Sequence, residues 1–80
     1  MKYFTYVIKS LKYNYIYVGI TNNPARRILE HNKGKEKTTK YYRPFRIIFI
    51  EQYKSRMEAR KREKYLKSGC GKEFIKSLII

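Results

Sequence analysis

The chain has 80 residues, of which 20 are Lys or Arg and 6 are Asp or Glu, so its formal net charge is +14. A chain of this length holds apolar material for one core, which predicts a single domain over residues 1–80 and excludes a second core. Repulsion among the positive charges opposes folding, so the excess favours a polyanionic partner, with nucleic acid first. An AT-rich genome would also raise the lysine content, but it would not leave the surface poor in acidic residues.

Cysteine content and hydropathy predict a protein of the reducing cytoplasm. The single cysteine, Cys70, provides neither an internal disulfide nor a thiolate metal site, so no structural zinc is expected. Residues 1–10 lack the apolar run of a signal peptide, and no window approaches the roughly 18 apolar residues of a membrane span. We expect a cytoplasmic location without a membrane partner. Binding of a polybasic surface to a membrane is the weaker alternative, because the predicted helices carry polar residues within their apolar faces.

Two strands are predicted at the start of the chain. Residues 3–9 (YFTYVIK) and 15–20 (YIYVGI) are aromatic and β-branched, and SLKYN between them has turn chemistry, which indicates an antiparallel hairpin. The two-residue period of the second strand puts three apolar residues on one face and two tyrosines with a glycine on the other: Ile16, Val18 and Ile20 against Tyr15, Tyr17 and Gly19. We expect Tyr17 to lie on a glycine face where the backbone is open to a ligand.

A first helix is predicted from Pro24 to about Asn32. Asn22 or Asn23 can cap its start, and Gly34 can end it. A helical wheel gives a predicted core face of Ala25, Ile28, Leu29 and Asn32, a solvent face with an i,i+4 pair of Arg26 and Glu30, and an edge with Arg27 and His31.

A basic loop and a third strand follow. Residues 33–44 (KGKEKTTKYYRP) have turn residues, five positive charges and no apolar period, so we interpret them as a loop that follows a phosphate backbone. The predicted nucleic-acid contacts in it are Lys35, Lys37, Lys40 and Arg43. Residues 45–53 (FRIIFIEQY) have the composition of a strand.

The second predicted helix carries a charge on its inward face. It covers residues 55–69, and Ser55 with Glu58 forms a capping box at its start. One arc of this helix contains Ala59, Arg62, Glu63, Leu66 and Cys70. An inward carboxylate at Glu63 needs a cation, either a basic side chain such as Arg62 or Lys67 or a metal ion. Residues 72–80 predict a third helix that closes the core.

Five segments of the chain resemble one known family. TYVIKS, YVGIT, ARRILEHN, RPFRIIFIE and EARKREKYLK occur in the order and at the spacing of the GIY-YIG nuclease family. The resemblance is closest to small stand-alone, UPF0213-like members related to the nuclease domain of the bacterial excinuclease, and it covers nearly the whole chain. Phe4-Thr5 replaces the Gly-Ile of the first motif, and Val18 replaces the isoleucine of the second. These changes remove no chemical group, although they alter the strand edge near Tyr6.

The resemblance implies a fold, a reaction and a set of site residues. The implied fold is α/β (α+β), a three-stranded antiparallel sheet flanked by helices in the order β-β-α-β-α-α. The implied reaction is hydrolysis of phosphodiester bonds in DNA with one divalent metal ion, Mg²⁺ or Mn²⁺, in repair or recombination. The implied residues are Tyr6, Tyr17, Arg27 and His31 as catalytic groups, Gly19 as the motif glycine, and Glu63 as the metal ligand.

These residue types suit the implied reaction. Displacement at phosphorus develops charge on oxygen, which the guanidinium of Arg27 and a metal ion held by Glu63 can stabilise. A tyrosine with its reference pKa of about 10 is ionised roughly one part in a thousand at neutral pH, so a tyrosine base needs cations beside it. His31 is suited to accept or relay the proton, and Tyr6 to hold the water or Tyr17 in place.

Two other functions remain open from the sequence. In a catalytically inactive nucleic-acid-binding module, the basic surface would bind phosphates and the tyrosines would stack on bases. A basic ribosome-associated or structural protein would explain the charge but not the five segments. Because many family members carry an added DNA-selecting domain, we also expect a protein partner or the loop at 33–43 to supply substrate selectivity.

Overall fold

A computed structural model describes residues 2–79 and contains three strands, three helices and one short 3₁₀ helix. The strands are β1 (Tyr3–Ser10), β2 (Ile16–Thr21) and β3 (Phe45–Tyr53), the helices are α1 (Pro24–Lys33), α2 (Arg56–Lys67) and α3 (Gly69–Ile79), and the 3₁₀ helix is Lys40–Tyr42. This order confirms the predicted α+β class. None of the helices in this part of the chain combines the length and apolarity that crossing a bilayer requires.

The sheet is antiparallel with strand order β2-β1-β3, so β1 is central and β2 is an edge strand. Val7 pairs with Phe49 and Ile8 with Ile47, which leaves Ile48 as the extra residue of a bulge in β3. Because side chains alternate along β1, the central strand contributes to a core on each side of the sheet.

The two faces of the sheet are covered by different helices. On one face, α2 and α3 close an apolar cluster of Val7, Val18, Leu66 and Ile75. On the other face, α1 covers a cluster of Tyr6, Ile8 and Phe45, against which Tyr15, Tyr17, Ile28 and Tyr42 pack. Residues of α1 and α2 are therefore separated by the sheet and can approach a common ligand only around an edge.

The ends of α1 lie where the sequence predicts them, but the helix is rotated about its axis relative to the predicted core face. The side chain of Asn23 accepts a hydrogen bond from the Arg26 N–H, and Gly34 ends the helix with φ 79°. The predicted core face is wrong in part, because Ala25 is exposed and Leu29 is 57% exposed.

The buried side of α1 is more polar than the wheel predicted. His31 is fully buried, while Ile28 and Asn32 are half-buried. The amide of Asn32 bonds both the N–H and the carbonyl of Phe45 and so attaches the helix to β3. The sheet surface beneath α1 carries the Tyr6 hydroxyl, and a polar helix face supplies its partners. The predicted solvent pair of Arg26 and Glu30 forms, with N···O 3.8 Å.

The junction of α2 and α3 differs from the prediction by a few residues. Helix α2 ends at Lys67, Ser68 is extended with ψ 171°, and α3 starts at Gly69 instead of residue 72. The Ser68 hydroxyl donates to the Tyr65 carbonyl and accepts from the Gly71 N–H, so it serves the ends of both helices. Because the chain turns here, Cys70 is exposed and the prediction that it points inward is wrong.

Gly71 and Gly69 form a matched pair for a test of this junction. A Cβ at Gly71 would overlap the Tyr65 carbonyl oxygen and the Leu66 Cα, and backbone atoms cannot move aside cheaply. We expect Gly71→Ala to lower the free energy of unfolding by about 1–3 kcal/mol in urea titrations. A Cβ at Gly69 would meet nothing within 4 Å. Gly69→Ala should therefore stay within about 0.5 kcal/mol of the parent. Equal effects of the two changes would contradict the helix packing.

Candidate active site

Tyr6 lies at the centre of the site, on the middle strand and opposite Gly19 of β2. Its side chain is only 3% exposed. A Cβ at Gly19 would lie 2.6 Å from the Tyr6 hydroxyl oxygen and 3.0 Å from Cε2 of Tyr17, so the glycine makes room for both tyrosines. The expectation of a glycine face open to a ligand is wrong, because the Tyr6 ring covers it.

A chain of hydrogen bonds runs from Tyr6 into α1 and the following loop. The Tyr6 hydroxyl lies 2.9 Å from Nε2 of His31, and Nδ1 of His31 lies 2.9 Å from the Thr39 hydroxyl. Nε of Arg27 donates to the Tyr6 hydroxyl over 3.4 Å. The structure thus brings Tyr6, Arg27 and His31 together as the resemblance implied, and adds Thr39, for which the sequence carried no signal.

Burial keeps Tyr6 and His31 neutral. Burial raises the pKa of Tyr6 to about 12, although the hydrogen bond from Arg27 acts in the opposite direction. Burial lowers the pKa of His31, and the positive charge of Arg27 lowers it further. At neutral pH the site therefore holds a protonated phenol, a neutral imidazole and one fixed guanidinium charge.

Arg27 is held by two carboxylates as well as by Tyr6. Nη1 lies 3.0 Å from Glu30, and Nη2 lies 3.4 Å from Glu36. Two of the six acidic residues of the chain are thus committed to one arginine. Its side chain remains 24% exposed, so an incoming phosphate can reach the guanidinium only in competition with these carboxylates.

Tyr17 differs from Tyr6 in having an available hydroxyl. Its ring packs 5.0 Å from that of His31 and 6.3 Å from that of Tyr6, measured between centroids. The Tyr17 side chain is half-buried, and its hydroxyl makes no hydrogen bond to any residue within 2–79. Of the two motif tyrosines, Tyr17 is the one that a water molecule or substrate can contact.

A groove of about 590 Å³ lies beside Tyr17, between the free edge of β2 and helices α2 and α3. Its apolar lining includes Ile16, Val18, Leu66 and Ile75, and its lysines are Lys67, Lys72 and Lys76. The sequence did not point to these lysines, because they belong to two helices whose relative placement is set by packing. They make this groove a basic surface next to the site.

Glu63 is close to this groove but on the other side of the sheet from Arg27. Its side chain is 15% exposed, and its carboxylate pairs with Lys67 at 3.3 Å. Lys67 is therefore the cation that compensates the inward charge, whereas Arg62 pairs with Glu51 at 2.8 Å. No hydrogen bond or ion pair within residues 2–79 joins Glu63 to Arg27 or Tyr17.

Glu63 offers a single carboxylate, which limits the metal ions that it could hold. Within the described part of the chain, no three His, Cys, Asp or Glu side chains converge as metal ligands. Zinc and calcium sites need such a set, but Mg²⁺ is commonly held by one or two carboxylates and completes its shell with water and phosphate oxygens. Glu63 alone can contribute to a site of that type.

The segment between α1 and β3 is more ordered than a basic loop. It contains the 3₁₀ helix and is attached to α1 through Glu36 and Thr39. The four predicted nucleic-acid contacts in this segment, Lys35, Lys37, Lys40 and Arg43, are all exposed. Its buried residue, Thr39, hydrogen-bonds to His31, while its four basic side chains face solvent.

The class of protein follows from comparison with known families. The family model described as the GIY-YIG catalytic domain matches residues 2–73. The chain belongs to the GIY-YIG family, which is a nuclease family, and this membership implies that the domain binds nucleic acid. This result confirms the resemblance inferred from the five segments.

Individual relatives are UPF0213 proteins. The chain is 36% identical to the UPF0213 protein of Staphylococcus haemolyticus over 78 residues, which cover 96% of this chain and 94% of that one. It is 42% identical to UPF0213 protein YazA of Bacillus subtilis over 66 residues, or 81% and 66% of the two chains. The solution NMR structure of a UPF0213 protein of Bacillus halodurans superposes with a TM-score of 0.57 at 32% identity and covers 98% of this chain and 85% of that one.

The buried histidine predicts a specific pH dependence of stability. The pKa of His31 is lower in the folded protein than its usual value of about 6.5. Just below pH 6.5 the unfolded chain therefore binds a proton that the folded protein does not bind. The free energy of unfolding should therefore be highest above about pH 6.5 and fall towards about pH 5.5. Urea titrations of the wild type and His31→Gln test this, since the chain has no other histidine. An equally steep loss in the variant would contradict the assignment.

Proposed function

We propose that the protein is a metal-dependent endonuclease that hydrolyses phosphodiester bonds in DNA, with repair or recombination as its setting. The observation that carries the proposal is the available hydroxyl of Tyr17, which lines the lysine-bearing groove. Its ring packs against Tyr6 and His31, and Tyr6 in turn contacts Arg27. Membership of the GIY-YIG family supports a nuclease reaction. The metal requirement and the preference for DNA are our inferences.

In this proposal Tyr17 and Arg27 are the catalytic residues. Tyr17 accepts a hydrogen bond from the attacking water through its available hydroxyl and directs the water oxygen at phosphorus. As the new P–O bond forms, the P–O bond to the leaving oxygen breaks, and the proton of the water passes to solvent. Arg27 exchanges its contacts with Glu30 and Glu36 for the phosphate oxygens, whose charge grows in the transition state. The two carboxylates also keep the guanidinium from contacting other anions until a phosphate is correctly placed.

Tyr6 and His31 act as positioning residues. Both are almost completely buried, so a polymeric substrate cannot reach them without disrupting the fold. The Tyr6 hydroxyl accepts a hydrogen bond from Nε of Arg27, and this contact holds the guanidinium at Nε while the two carboxylates hold Nη1 and Nη2. Restricting Arg27 in this way lowers the entropy lost when it meets a phosphate.

Glu63 is the proposed ligand of the divalent metal ion, Mg²⁺ or Mn²⁺. The ion, when bound, supplies positive charge that stabilises the leaving oxygen of the scissile phosphodiester. Glu63 is mostly buried and held by Lys67, which lines the groove next to Tyr17. Lys67 contacts only Oε2 of Glu63, and Oε1 makes no hydrogen bond or ion pair within residues 2–79, so Oε1 is the proposed ligand atom.

The groove lysines and the exposed residues after α1 are proposed to bind the polymer on the two sides of the site. Lys67, Lys72 and Lys76 flank Tyr17 at the β2 edge, and Lys35, Lys37, Lys40 and Arg43 lie beyond the end of α1. The spread of these charges suits a phosphate backbone that runs past the site.

A catalytically inactive nucleic-acid-binding module is the second candidate, and one observation favours it. The Glu63 carboxylate already has a cation in Lys67, and no group of three His, Cys, Asp or Glu side chains converges as metal ligands among the described residues. Such a pair is also what a purely structural glutamate would form. The basic groove would then bind nucleic acid without cutting it.

Substitution of two glutamates on α2 distinguishes the nuclease from the inactive binding module. Glu63→Gln retains size and removes the charge that would hold the metal, so cleavage should fall by at least about a hundredfold, since metal stabilisation is typically worth several kcal/mol. Glu58 is exposed and lies at the start of the helix, where glutamine also serves a capping box. Glu58→Gln should cut as fast as the wild type. The measurement is cleavage of supercoiled, branched and single-stranded DNA with Mg²⁺, Mn²⁺ or EDTA.

Arg27→Ala controls for contaminating nuclease in these assays. Any cleavage that survives this substitution and EDTA does not belong to the protein. Equal cleavage by the Glu63 and Glu58 variants would remove the metal role of Glu63. Binding of DNA by a wild type that cuts none of the substrates would establish the inactive module instead.

The salt dependence of binding tests where the polymer lies. The logarithm of the association constant should fall with the logarithm of salt concentration, with a slope of about −0.9 for each duplex phosphate neutralised. Replacing Lys72 and Lys76 by Gln should flatten this slope by about one to two such units. Replacing Lys35, Lys37 and Lys40 should do the same on the other side.

A matched control for these variants is the pair Lys61 and Lys64, which are exposed on α2 and do not line the Tyr17 groove. Their replacement by Gln removes the same charge as the Lys72 and Lys76 pair. A slope that changes as much in this control would show that net charge, and not the groove, determines affinity. Fluorescence anisotropy of a labelled duplex in EDTA measures all four proteins without cleavage.

A further inference from the structure

Thr39 is a buried residue in an exposed basic segment. Its side chain is 0% exposed, while Thr38 before it and Lys40 after it face solvent. A buried hydroxyl needs a hydrogen-bond partner, and the partner of Thr39 is Nδ1 of His31 at 2.9 Å. The contact spans eight positions and connects the basic segment directly to the site.

The contacts of Tyr6 define where the proton of His31 lies. Nε of Arg27 can only donate, so the Tyr6 oxygen accepts from it. The phenolic proton then points to its other neighbour, Nε2 of His31, at 2.9 Å. With Nε2 as the acceptor, the neutral imidazole carries its proton on Nδ1 and donates it to the Thr39 hydroxyl.

The opposite direction of donation along these hydrogen bonds is less favourable. Thr39 would donate to Nδ1, and both Nε2–H and Arg27 would donate to the Tyr6 oxygen. Each direction leaves one buried hydroxyl proton without an acceptor among the described residues, that of Thr39 in the first direction and that of Tyr6 in the second. The phenolic proton is the more acidic of the two, so leaving it unpaired costs more. The energetic difference favours the direction that runs from Tyr6 through His31 to Thr39.

We propose that Thr39 is a positioning residue for the nuclease reaction: it holds the proton on Nδ1 of His31, so that Nε2 accepts from Tyr6 and the Tyr6 oxygen accepts from Arg27. This inference rests on the proposed function, because Arg27 is the group that meets the phosphate. Thr39 itself touches no substrate. It acts through two intervening side chains.

The position of Thr39 also couples polymer binding to the site. The same short segment carries Lys37 and Lys40 on its exposed side and Glu36, which pairs with Arg27 at 3.4 Å. A segment that contacts the phosphate backbone through its lysines therefore holds the orientation of Arg27 at two points. Glu36 contacts the guanidinium directly, and Thr39 does so through His31 and Tyr6.

The test uses the full chain with three substitutions. Thr39→Val keeps the shape of the side chain and removes the hydroxyl, Thr39→Ser restores the hydroxyl, and Thr38→Val makes the same change at the exposed neighbour. The first readout is the ¹⁵N chemical shift of both imidazole nitrogens, which reports the tautomer directly. The single histidine of the chain makes the signal unambiguous.

The wild type, Thr39→Ser and Thr38→Val should show the Nδ1–H tautomer, and Thr39→Val should lose it or give a mixture. In the second readout, DNA cleavage with Mg²⁺, Thr39→Val should lower kcat about tenfold to a hundredfold and leave KM nearly unchanged. Thr39→Ser should recover most of that loss, and Thr38→Val should match the wild type.

The Nε2–H tautomer in the wild type would overturn the proposal whether or not any variant folds. An unchanged tautomer in Thr39→Val, or a loss of activity that Thr39→Ser does not recover, would overturn it as well. If the wild type shows Nδ1–H, which Thr39→Val abolishes, but cuts no nucleic acid, the result supports the hydrogen-bond assignment and refutes the nuclease function. The two inferences can thus fail separately.

Discussion

The hydroxyl of Tyr6 imposes the main constraint on this fold. It lies on the central strand, almost wholly buried, where an unpaired polar group would cost several kcal/mol. Its partners, His31 and Arg27, are four residues apart on one helix, so α1 must turn its polar side to the sheet. The neighbouring strand must carry Gly19, since any Cβ there would collide with the Tyr6 ring. The exposed Leu29 and the buried His31 follow from this one group.

The two faces of the sheet differ in the polarity of the residues that they bury. The face covered by α2 and α3 is apolar, and residues such as Val7, Leu66 and Ile75 exclude water from it. That face supplies the hydrophobic stabilisation that a chain with a net charge of +14 needs. The face under α1 instead devotes buried area to a polar network, which is tolerable because its donors and acceptors are paired.

Most of the six acidic residues form ion pairs with basic side chains. Glu30 and Glu36 hold Arg27, Glu51 holds Arg62 against three aromatic rings, and Glu63 pairs with Lys67. The remaining basic side chains are left on the surface, where a polyanion can neutralise them. In the proposed nuclease, a substrate phosphate would replace Glu30 and Glu36 at Arg27, so substrate binding begins with an exchange of ion pairs.

Sequence alone determined the elements and their order, because these depend on signals between near neighbours, and it determined the family, because the five segments and their spacing can be found without knowing the fold. The Asn23 cap, the Gly34 stop and the strand alternation each involve residues one to four positions apart. The tertiary structure decided the rotation of α1, the Thr39 contact, the choice of Lys67 over Arg62 for Glu63, and the lysine groove. Those features depend on contacts between polar groups that are distant in the sequence and are brought together by folding. Tyr6 and His31 are 25 positions apart, and no local pattern records that contact.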